Sequence, residues 1–250
     1  MPEPILVAEG LSRYFGGLAA VSELSIDFAR GEIHAVIGPN GAGKSTLINL
    51  LSGHTRPSAG RIRYEGTDIV GYSPDQIARL GIARSFQRVN VFSEFSVFEN
   101  CRLAAQAGLT SSMRFFRSAL SRRELNDRAE RVISLVGLRD AGRFAHALSH
   151  GERRQLELAM TMANTPKVLL LDEPLAGMGA DEAVVIIRLI EELGRDQAIL
   201  LVEHDMDAVF SVAQRLTVMV NGRIVETGNP ATVRANPEVR KAYLGTEELA

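Results

Sequence analysis

The sequence predicts an α/β fold in which a buried parallel sheet supports an inserted helical region. Two apolar runs, VLLLD at residues 168–172 and AILLV at residues 198–202, flank the amphipathic stretch DEAVVIIRLIEELG. A strand, a helix and a second strand in this order indicate parallel neighbours that are buried on both faces. The 250 residues, 46% of them hydrophobic, are enough for one large domain with its own core.

The other elements follow in order along the chain. Within residues 1–70, glycine-containing turns separate the β-type runs ILVAEGL, ELSIDFA, EIHAVIG and RIRYEG, and a helix is predicted at TLINLLSG. From about residue 75 to 165, helical spacing predicts helices in NCRLAAQ, RRELNDRAERVISLVGL and RRQLELAMTMA. Asn221-Gly222, between TVMV and RIVE, predicts a hairpin with a type I′ turn. A last helix is expected around PEVRKAYLG.

Composition excludes several classes of protein. A net charge of -2 gives no overall electrostatic attraction to nucleic acid, so no nucleic-acid partner is expected. The single cysteine, Cys101, excludes an intrachain disulfide and favours a reducing compartment. No signal peptide is evident, and no apolar run approaches the ~18 residues that span a bilayer. We therefore expect any membrane role to depend on a partner or on a surface contact.

A glycine-rich stretch between a strand and a helix fits the phosphate-loop pattern G-x-x-x-x-G-K-[ST]. It comprises Gly38, Pro39, Asn40, Gly41, Ala42, Gly43, Lys44 and Ser45, and Thr46 follows. Backbone N–H groups and a helix N-terminus bind phosphate oxygens, so Lys44 is expected to hold the β- and γ-phosphates. The Ser45 hydroxyl is expected to bind Mg²⁺, with Thr46 hydrogen-bonding nearby. The alternative, a glycine-rich turn without a ligand, does not explain the lysine and serine.

Two carboxylates follow the buried strand VLLL. Asp172 and Glu173 stand at the edge where open α/β sheets bind ligands. Asp172 is expected in the Mg²⁺ shell, and Glu173 is expected to polarise the attacking water. The alternatives are a solvated acidic turn before Pro174 and a rival acid, Glu203, after AILLV. His204 ends the same neighbouring strand, but alone it indicates no more than a packed or surface histidine.

The stretch LSHGE has two compatible interpretations. Ser149 and Glu152 form a capping box ahead of an apolar helical stripe, which accounts for both residues without any function. Gly151 is not explained in this way, because glycine weakens a helix and is useful where a ligand approaches the backbone. A capped helix N-terminus also binds anions, so the residues alone leave the two interpretations about even.

Taken in order, GPNGAGKST, Gln87, LSHGE, VLLLDEP and His204 make the chain resemble the ATP-binding subunit of an ABC transporter. The resemblance covers essentially the whole length. It implies a P-loop NTPase (RecA-like) core with an N-terminal antiparallel β subdomain and an inserted α-helical signature subdomain. The helical subdomain would span residues 88–164, and the β subdomain and core would share residues 1–87 and 165–250.

The resemblance also implies roles for single residues. Phe15, or Tyr14, is similar to the aromatic residue that stacks on adenine. Gln87 resembles the residue that binds Mg²⁺ and links the water site to the membrane subunit. Glu173 resembles the general base and His204 the γ-phosphate contact. LSHGE resembles the family signature LSGGQ, so Ser149 and Gly151 would contact ATP bound to a second subunit in a head-to-tail dimer.

Finer features resemble one branch of the family. GIARSFQ, AGMGADE, VEHDMD and NPEVRKAYLG are similar to ATP-binding subunits that serve uptake of branched-chain or related amino acids, amides or urea. That branch implies transmembrane permease subunits, a second ATP-binding subunit in a homo- or heterodimer, and indirectly a solute-binding protein. It also implies a peripheral location on the cytoplasmic face of the inner membrane. The alternatives are a lipopolysaccharide-type export ATPase, a soluble non-transport ABC ATPase and a regulator that no longer hydrolyses nucleotide.

Two positions depart from the family pattern, and two segments suggest membrane-side contacts. His150 replaces a glycine of the signature, and Gly179 stands where many relatives carry Asp or Asn. The apolar residues 89–98 would line a groove for a permease helix and partly fill the core. Residues 113–117, MRFFR, are interpreted as a solvated helix face, with lipid headgroup contact as the alternative.

Overall fold

The computed structural model describes residues 3–86, 90–107, 118–237 and 239, and within these ranges the chain forms two sheets and eight α-helices. The strands are β1 (Pro4–Phe15), β2 (Leu18–Ala29), β3 (Glu32–Ile37), β4 (Ala59–Tyr64), β5 (Thr67–Asp68), β6 (Ile82–Arg84), β7 (Val168–Asp172), β8 (Ala198–Val202), β9 (Arg215–Val220) and β10 (Arg223–Gly228). The helices are α1 (Lys44–Leu51), α2 (Pro74–Leu80), α3 (Val97–Ala107), α4 (Ser118–Leu135), α5 (His150–Met162), α6 (Ala180–Leu193), α7 (Met206–Val212) and α8 (Pro230–Ala235).

A six-stranded sheet in the order β10-β9-β3-β8-β7-β6 forms the centre of the fold. Strands β9, β3, β8, β7 and β6 run parallel, and β10 is antiparallel at the edge. All residues of β7 and β8 are buried, as their uninterrupted apolar sequences predict. The carboxyl ends of β3, β7 and β8 therefore meet at one edge of the sheet, where Asp172 pairs in register with Val202.

The antiparallel sheet β2-β1-β4-β5 covers one face of the central sheet, with α1 between the two. Leu47 and Ile48 of α1 share this core with Phe28 of β2 and with Leu170 and Leu200 of the central sheet. On the opposite face, α3, α4 and α5 pack together and join a second core with α6. The helix that starts at Lys44 is thus held rigidly between the two sheets.

The structure confirms the predicted elements that fall on described residues and adds some that were missed. The residue pair Asn221 and Gly222 has φ angles of 49° and 77°, as the type I′ hairpin requires. Helical spacing from residue 75 was misleading in one place, because Ile82–Arg84 forms the edge strand β6. Three residues are too few to show strand periodicity. Helices α2, α7 and α8 were not predicted, and most of PEVRKAYLG lies outside the described residues.

No helix in the described part of the chain is long and apolar enough to cross a membrane.

Candidate functional site

The glycine-rich loop links the end of β3 to the start of α1, and backbone packing fixes its shape. A Cβ on Gly38 would overlap with the carbonyl oxygen of Met219, and a Cβ on Gly43 would overlap with that of Ala20. Gly43 also has a φ of 102°, which side chains disfavour. The N–H of Gly222 donates to the carbonyl of Ala42 at 3.0 Å, so the β9-β10 turn supports the loop. Only glycine fits at residues 38 and 43.

Lys44 begins α1 and is 6% exposed. Its Nζ donates to the carbonyl oxygens of Gly38 at 2.5 Å and Pro39 at 3.1 Å. Burial lowers the pKa of Lys44, while the nearby carboxylates of Glu173 and Asp172 oppose that shift. The ammonium group therefore lies between the loop and the two acids, where phosphate groups of a nucleotide would bring compensating negative charge.

A cleft of 590 Å³ opens above the loop. The sequence-predicted residues that line it are Phe15, Asn40, Gly41, Ala42, Gly43, Lys44, Ser45, Thr46, Glu173 and His204. Phe15 is 48% exposed and lies with Leu18 and Ala20 at the wall formed by β1 and β2. Tyr14 is equally exposed but lies outside the lining, so the geometry favours Phe15 as the aromatic residue of the cleft.

Asp172 ends β7 and is 1% exposed. Its backbone N–H donates to Ser85 Oγ at 3.1 Å, and its Oδ2 lies 3.5 Å from Arg84 Nη2. Burial raises the pKa of Asp172, and the charges of Arg84 and Lys44 oppose that rise. Its Oδ1 is buried without a hydrogen-bond partner in the described part of the chain. A buried acceptor oxygen without a protein partner is unusual, and a cation or a water molecule is the kind of ligand that would satisfy it.

These residues fit Mg²⁺ in one particular way. The described residues contain no group of three His, Cys, Asp or Glu side chains that could hold a metal ion by themselves. Mg²⁺ commonly binds through one or two protein oxygens together with substrate phosphates and waters. Ser45 lines the cleft, whereas Asp172 is buried outside that lining and interacts electrostatically with Lys44 and Glu173. These two residues could supply such oxygens, and a nucleotide would have to complete the site.

Glu173 and His204 come from the ends of neighbouring strands and meet directly. Glu173 Oε1 lies 2.7 Å from His204 Nε2, and the Glu173 N–H donates to the Val202 carbonyl at 2.8 Å. Glu173 has a φ of 51°, a left-handed conformation that is uncommon for residues other than glycine and costs free energy. This backbone conformation, held by the bond to β8, points its carboxylate into the cleft with His204.

Glu203, the rival acid, has a structural position. It is 4% exposed, and its two carboxylate oxygens accept hydrogen bonds from the N–H groups of Leu175 at 2.8 Å and His204 at 2.9 Å. Burial raises the pKa of Glu203, and these backbone hydrogen bonds oppose the rise. Glu203 therefore ties the loop after Glu173 to the strand end that carries His204, and it does not line the cleft.

The predicted capping box at LSHGE is present at the start of α5. Ser149 Oγ accepts from the Glu152 N–H at 3.1 Å, and Glu152 Oε2 accepts from the Ser149 N–H at 2.7 Å. Arg143 holds the same carboxylate through an ion pair of 2.6 Å. Ser149, His150 and Gly151 lie outside the cleft around Lys44. A role for them in nucleotide binding therefore requires a second chain.

Two contacts at the start of α5 were not predicted. The Glu182 carboxylate lies against Gly151, where a Cβ would overlap with it, and it accepts from the Gly179 N–H at 3.1 Å. The His150 ring packs over Gly177, whose Cβ would lie 2.7 Å from His150 Cε1. From the sequence alone, Glu182 could be recognised only as the third residue of α6.

Gln87 lies outside the described residues, so its predicted place at the Mg²⁺ and water site stays a prediction.

Comparisons with known proteins agree with the motifs. The family described as "ABC transporter" matches residues 21–176, and the family "Branched-chain amino acid ATP-binding cassette transporter" matches residues 223–248. The chain is 40% identical to the high-affinity branched-chain amino acid transport ATP-binding protein LivG of Salmonella typhimurium, over 98% of the chain and 99% of the relative. It is 38% identical to BraF of Pseudomonas aeruginosa, with the same coverage.

Solved structures confirm the predicted fold. A nucleotide-free ATP-binding cassette from an ABC transporter matches with a TM-score of 0.84 and 29% identity, over 96% of this chain and 99% of that one. The ADP conformation of MJ1267, an ATP-binding cassette of an ABC transporter, matches with a TM-score of 0.84 and 30% identity, over 97% and 99%. The α/β P-loop architecture is therefore shared along nearly the whole chain.

Proposed function

We propose that this chain, which belongs to the ABC transporter family, is the Mg²⁺-dependent ATPase subunit of an importer for branched-chain or related amino acids. The amino-acid assignment is supported by the family match near the C-terminus and by relatives that carry this role in their names. The observation that carries the hydrolytic part is the 2.7 Å contact between Glu173 and His204 in the same cleft as Lys44.

The chain's own residues divide the work of hydrolysis. The phosphate loop and Lys44 hold the β- and γ-phosphates of ATP, and Phe15 stacks on the adenine at the open wall of the cleft. Glu173 takes a proton from the attacking water, whose oxygen then bonds to the γ-phosphorus as the bond to the β-phosphate oxygen breaks. His204 orients the Glu173 carboxylate and hydrogen-bonds the γ-phosphate. Products are ADP and phosphate.

Ser45 and Asp172 would hold Mg²⁺, and Gln87 would join them. When bound, the ion would neutralise charge on the β- and γ-phosphates. The unpartnered Oδ1 of Asp172 among the described residues supports this assignment. Arg84 and Ser85 keep the Asp172 side chain and backbone in place, so the carboxylate needs little rearrangement on binding.

A second ATP-binding subunit, identical or homologous, completes each site in this proposal. Ser149 and Gly151 lie outside their own chain's cleft, at the N-terminus of a capped helix. Such a terminus favours an anion, so it would bind the γ-phosphate of ATP held by the partner. ATP would then draw two subunits together head to tail, and hydrolysis would release them.

An exposed aromatic surface supports docking of the membrane-spanning permease subunits. Phe92, Phe95 and Phe144 are 54%, 40% and 50% exposed, and the rings of Phe92 and Phe95 stack at 5.6 Å. Asn100, fully buried, accepts from the Phe92 N–H at 2.8 Å and donates to the carbonyls of Phe92 and Phe95. The surface is therefore rigid before any partner binds. In this proposal the chain is peripheral to the cytoplasmic face of the inner membrane, and a solute-binding protein acts through the permease.

Replacing Glu173 with Gln tests the hydrolytic assignment. The amide keeps the size of the side chain but is not a base, so we expect turnover to fall at least about hundredfold while ATP binding is retained. We also expect a stable ATP-bound dimer, measured by size-exclusion chromatography with light scattering. Phosphate release measured with and without Mg²⁺ tests the metal requirement in the unmodified protein.

The exposed Glu191→Gln on α6 is the matched control and should retain normal turnover. Normal hydrolysis by Glu173→Gln would remove Glu173 from the role of base. If the unmodified protein, alone or with its permease, showed no ATPase activity, the motor function itself would be wrong.

A further inference from the structure

Two buried charged side chains of α5 hold the backbone of Phe86. Arg154 and Glu157 are 6% and 5% exposed. Glu157 Oε1 accepts from the Phe86 N–H at 2.9 Å, and Arg154 Nη1 donates to the Phe86 carbonyl at 2.7 Å. Arg154 Nη1 also lies 3.1 Å from Glu157 Oε2. Both backbone polar groups of Phe86 are thus satisfied by one ion pair on another element.

The position of this contact follows from where the central sheet stops. The strand β6 ends at Arg84, and the Ser85 N–H makes the last ladder bond, to Leu170 at 3.0 Å. At Phe86 the chain has left the sheet, so the backbone of this residue needs other partners. Arg154 and Glu157 supply them, and Phe86 directly precedes Gln87 in the sequence.

The same short segment touches the hydrolytic site at its other end. Ser85 Oγ accepts from the Asp172 N–H, and Arg84 pairs with the Asp172 carboxylate. Residues 84–86 therefore connect two places: Asp172 at the end of β7, and the helix α5 that begins beside Ser149.

Stability alone does not account for the pair. Burial of a carboxylate and a guanidinium costs desolvation, and apolar side chains of similar volume often stabilise a protein as well or better. Burial raises the pKa of Glu157, and the Phe86 N–H and the Arg154 charge oppose that rise. A pair with geometric demands of this kind is suited to fixing a backbone in one position.

We propose that Arg154 and Glu157 are positioning residues for ATP hydrolysis, which fix the chain entering Gln87 relative to the signature helix α5. The inference rests on the proposed function. ATP held by a partner would bind at Ser149 and Gly151, at the N-terminus of α5. Arg154 and Glu157 on the same helix then fix the position of residues 84–86, which contact Asp172. Loss of the pair would leave the nucleotide-binding residues in place and misplace residues 84–86, which contact Asp172.

The test compares three variants of the full-length protein, alone and with its permease. Arg154→Met with Glu157→Leu removes both charges together and fills the volume, so no buried charge is left alone. Glu157→Gln retains an oxygen that accepts from the Phe86 N–H. Glu124→Leu with Arg128→Met is the matched control, because this exposed i,i+4 pair lies on α4 and touches none of the site. For each, kcat and KM for ATP, the melting temperature and stimulation by the permease are measured.

For the double variant we expect kcat to fall at least about tenfold with KM for ATP within about twofold, and permease stimulation to be lost. Its melting temperature should fall by no more than about ten degrees, because Phe86 loses two hydrogen-bond partners while the desolvation cost of the buried pair is removed as well. Glu157→Gln should retain more than about half of kcat, and the α4 control should be unchanged. This split between kcat and KM, with rescue by the conservative variant, is not expected of a pair that only packs the core.

A double variant with normal kcat and normal stimulation would overturn the proposal. So would Glu157→Gln as slow as the double variant, because the hydrogen bond to Phe86 would then not be the important contact. Failure of the proposed function gives a different result, in which the unmodified protein itself does not hydrolyse ATP.

Discussion

The proposed function assigns phosphate to the N-termini of α1 and α5, and these two termini are built differently. At α1 the backbone itself fixes the site: Gly43 stands at the N-cap without any side-chain cap, and the loop rests on the β9-β10 turn through the Gly222 N–H. At α5 side chains fix the site: Ser149 and Glu152 form the cap, and Arg143 holds the cap in place.

The charges around the two termini also differ. Lys44 lies at the first, where a bound phosphate gains a cation. At the second, the Glu182 carboxylate lies against Gly151, where a bound phosphate meets like charge. The first terminus and its cation belong to the same chain. In the proposed dimer, the second terminus would bind phosphate only when ATP held by a partner subunit displaces the Glu182 carboxylate from Gly151.

The largest expected effect is at the N-terminus of α1, where the backbone fixes the site. In Gly43→Ala the added Cβ would overlap with the Ala20 carbonyl, and a φ of 102° is strained for alanine. We expect ATP affinity to fall at least about hundredfold, because the loop must move from the shape that binds phosphate. Titration calorimetry measures it. Gly66→Ala is the matched control, since its φ of 79° carries a similar strain but nothing lies within 4 Å of its Cβ and it lies outside the cleft, so ATP affinity should stay near normal.

The N-terminus of α5, where side chains fix the site, should respond differently to the same replacement of glycine by alanine. In Gly151→Ala the overlapping group is the end of a flexible glutamate, which can rotate away. ATP affinity of the single subunit should stay within about twofold of normal, while cooperative turnover falls. Equal losses of affinity in Gly43→Ala and Gly151→Ala would remove the distinction between the two sites.

The same difference explains what could be predicted from the sequence. The phosphate loop, the Asn221-Gly222 turn and the Ser149 capping box depend on residues close together in the chain, so local patterns revealed them. The contact of Glu173 with His204, the strand β6 and the placement of Glu182 on Gly151 depend on pairings across the fold. The sequence placed Glu173 and Glu203 as rivals, and only their hydrogen-bond partners separated them.

Another prediction concerns β3, the strand that leads into the phosphate loop. His34, on β3, is fully buried with Nε2 2.7 Å from Thr217 Oγ1, and burial lowers its pKa to about 4 from 6.5. The folded state therefore holds His34 neutral while the unfolded chain takes up a proton below about pH 6.5. The resulting loss of unfolding free energy, of order 3 kcal/mol, develops as the pH falls from about 6.5 to about 4.

Urea unfolding at several pH values measures this loss, with His34→Gln as the comparison. The amide of glutamine can bond Thr217 and does not titrate, so the variant should lose less stability over the same pH range. If both proteins lost stability equally between pH 6.5 and 4, carboxylates elsewhere would be responsible. A weakening of ATP binding that follows the same pH range would tie the buried histidine to the phosphate loop that β3 carries.

The smallest expected effect comes from the acid at α5. In Glu182→Gln the side chain still accepts the hydrogen bond of Gly179 but no longer places a negative charge beside Gly151. A γ-phosphate arriving from a partner subunit should then meet less repulsion, so ATP-dependent dimerisation should tighten by about threefold. Asp181→Asn, one residue earlier and exposed, removes a charge from the same turn and should change dimerisation less.

Tighter dimerisation of Glu182→Gln that disappears in high salt would identify charge as the cause, since salt screens the repulsion that the variant removes. Equal or weaker dimerisation in Glu182→Gln would mean that the carboxylate stabilises the N-terminus of α5 in the form that the partner binds. Both helix N-termini would then have their phosphate-binding conformation before the nucleotide binds.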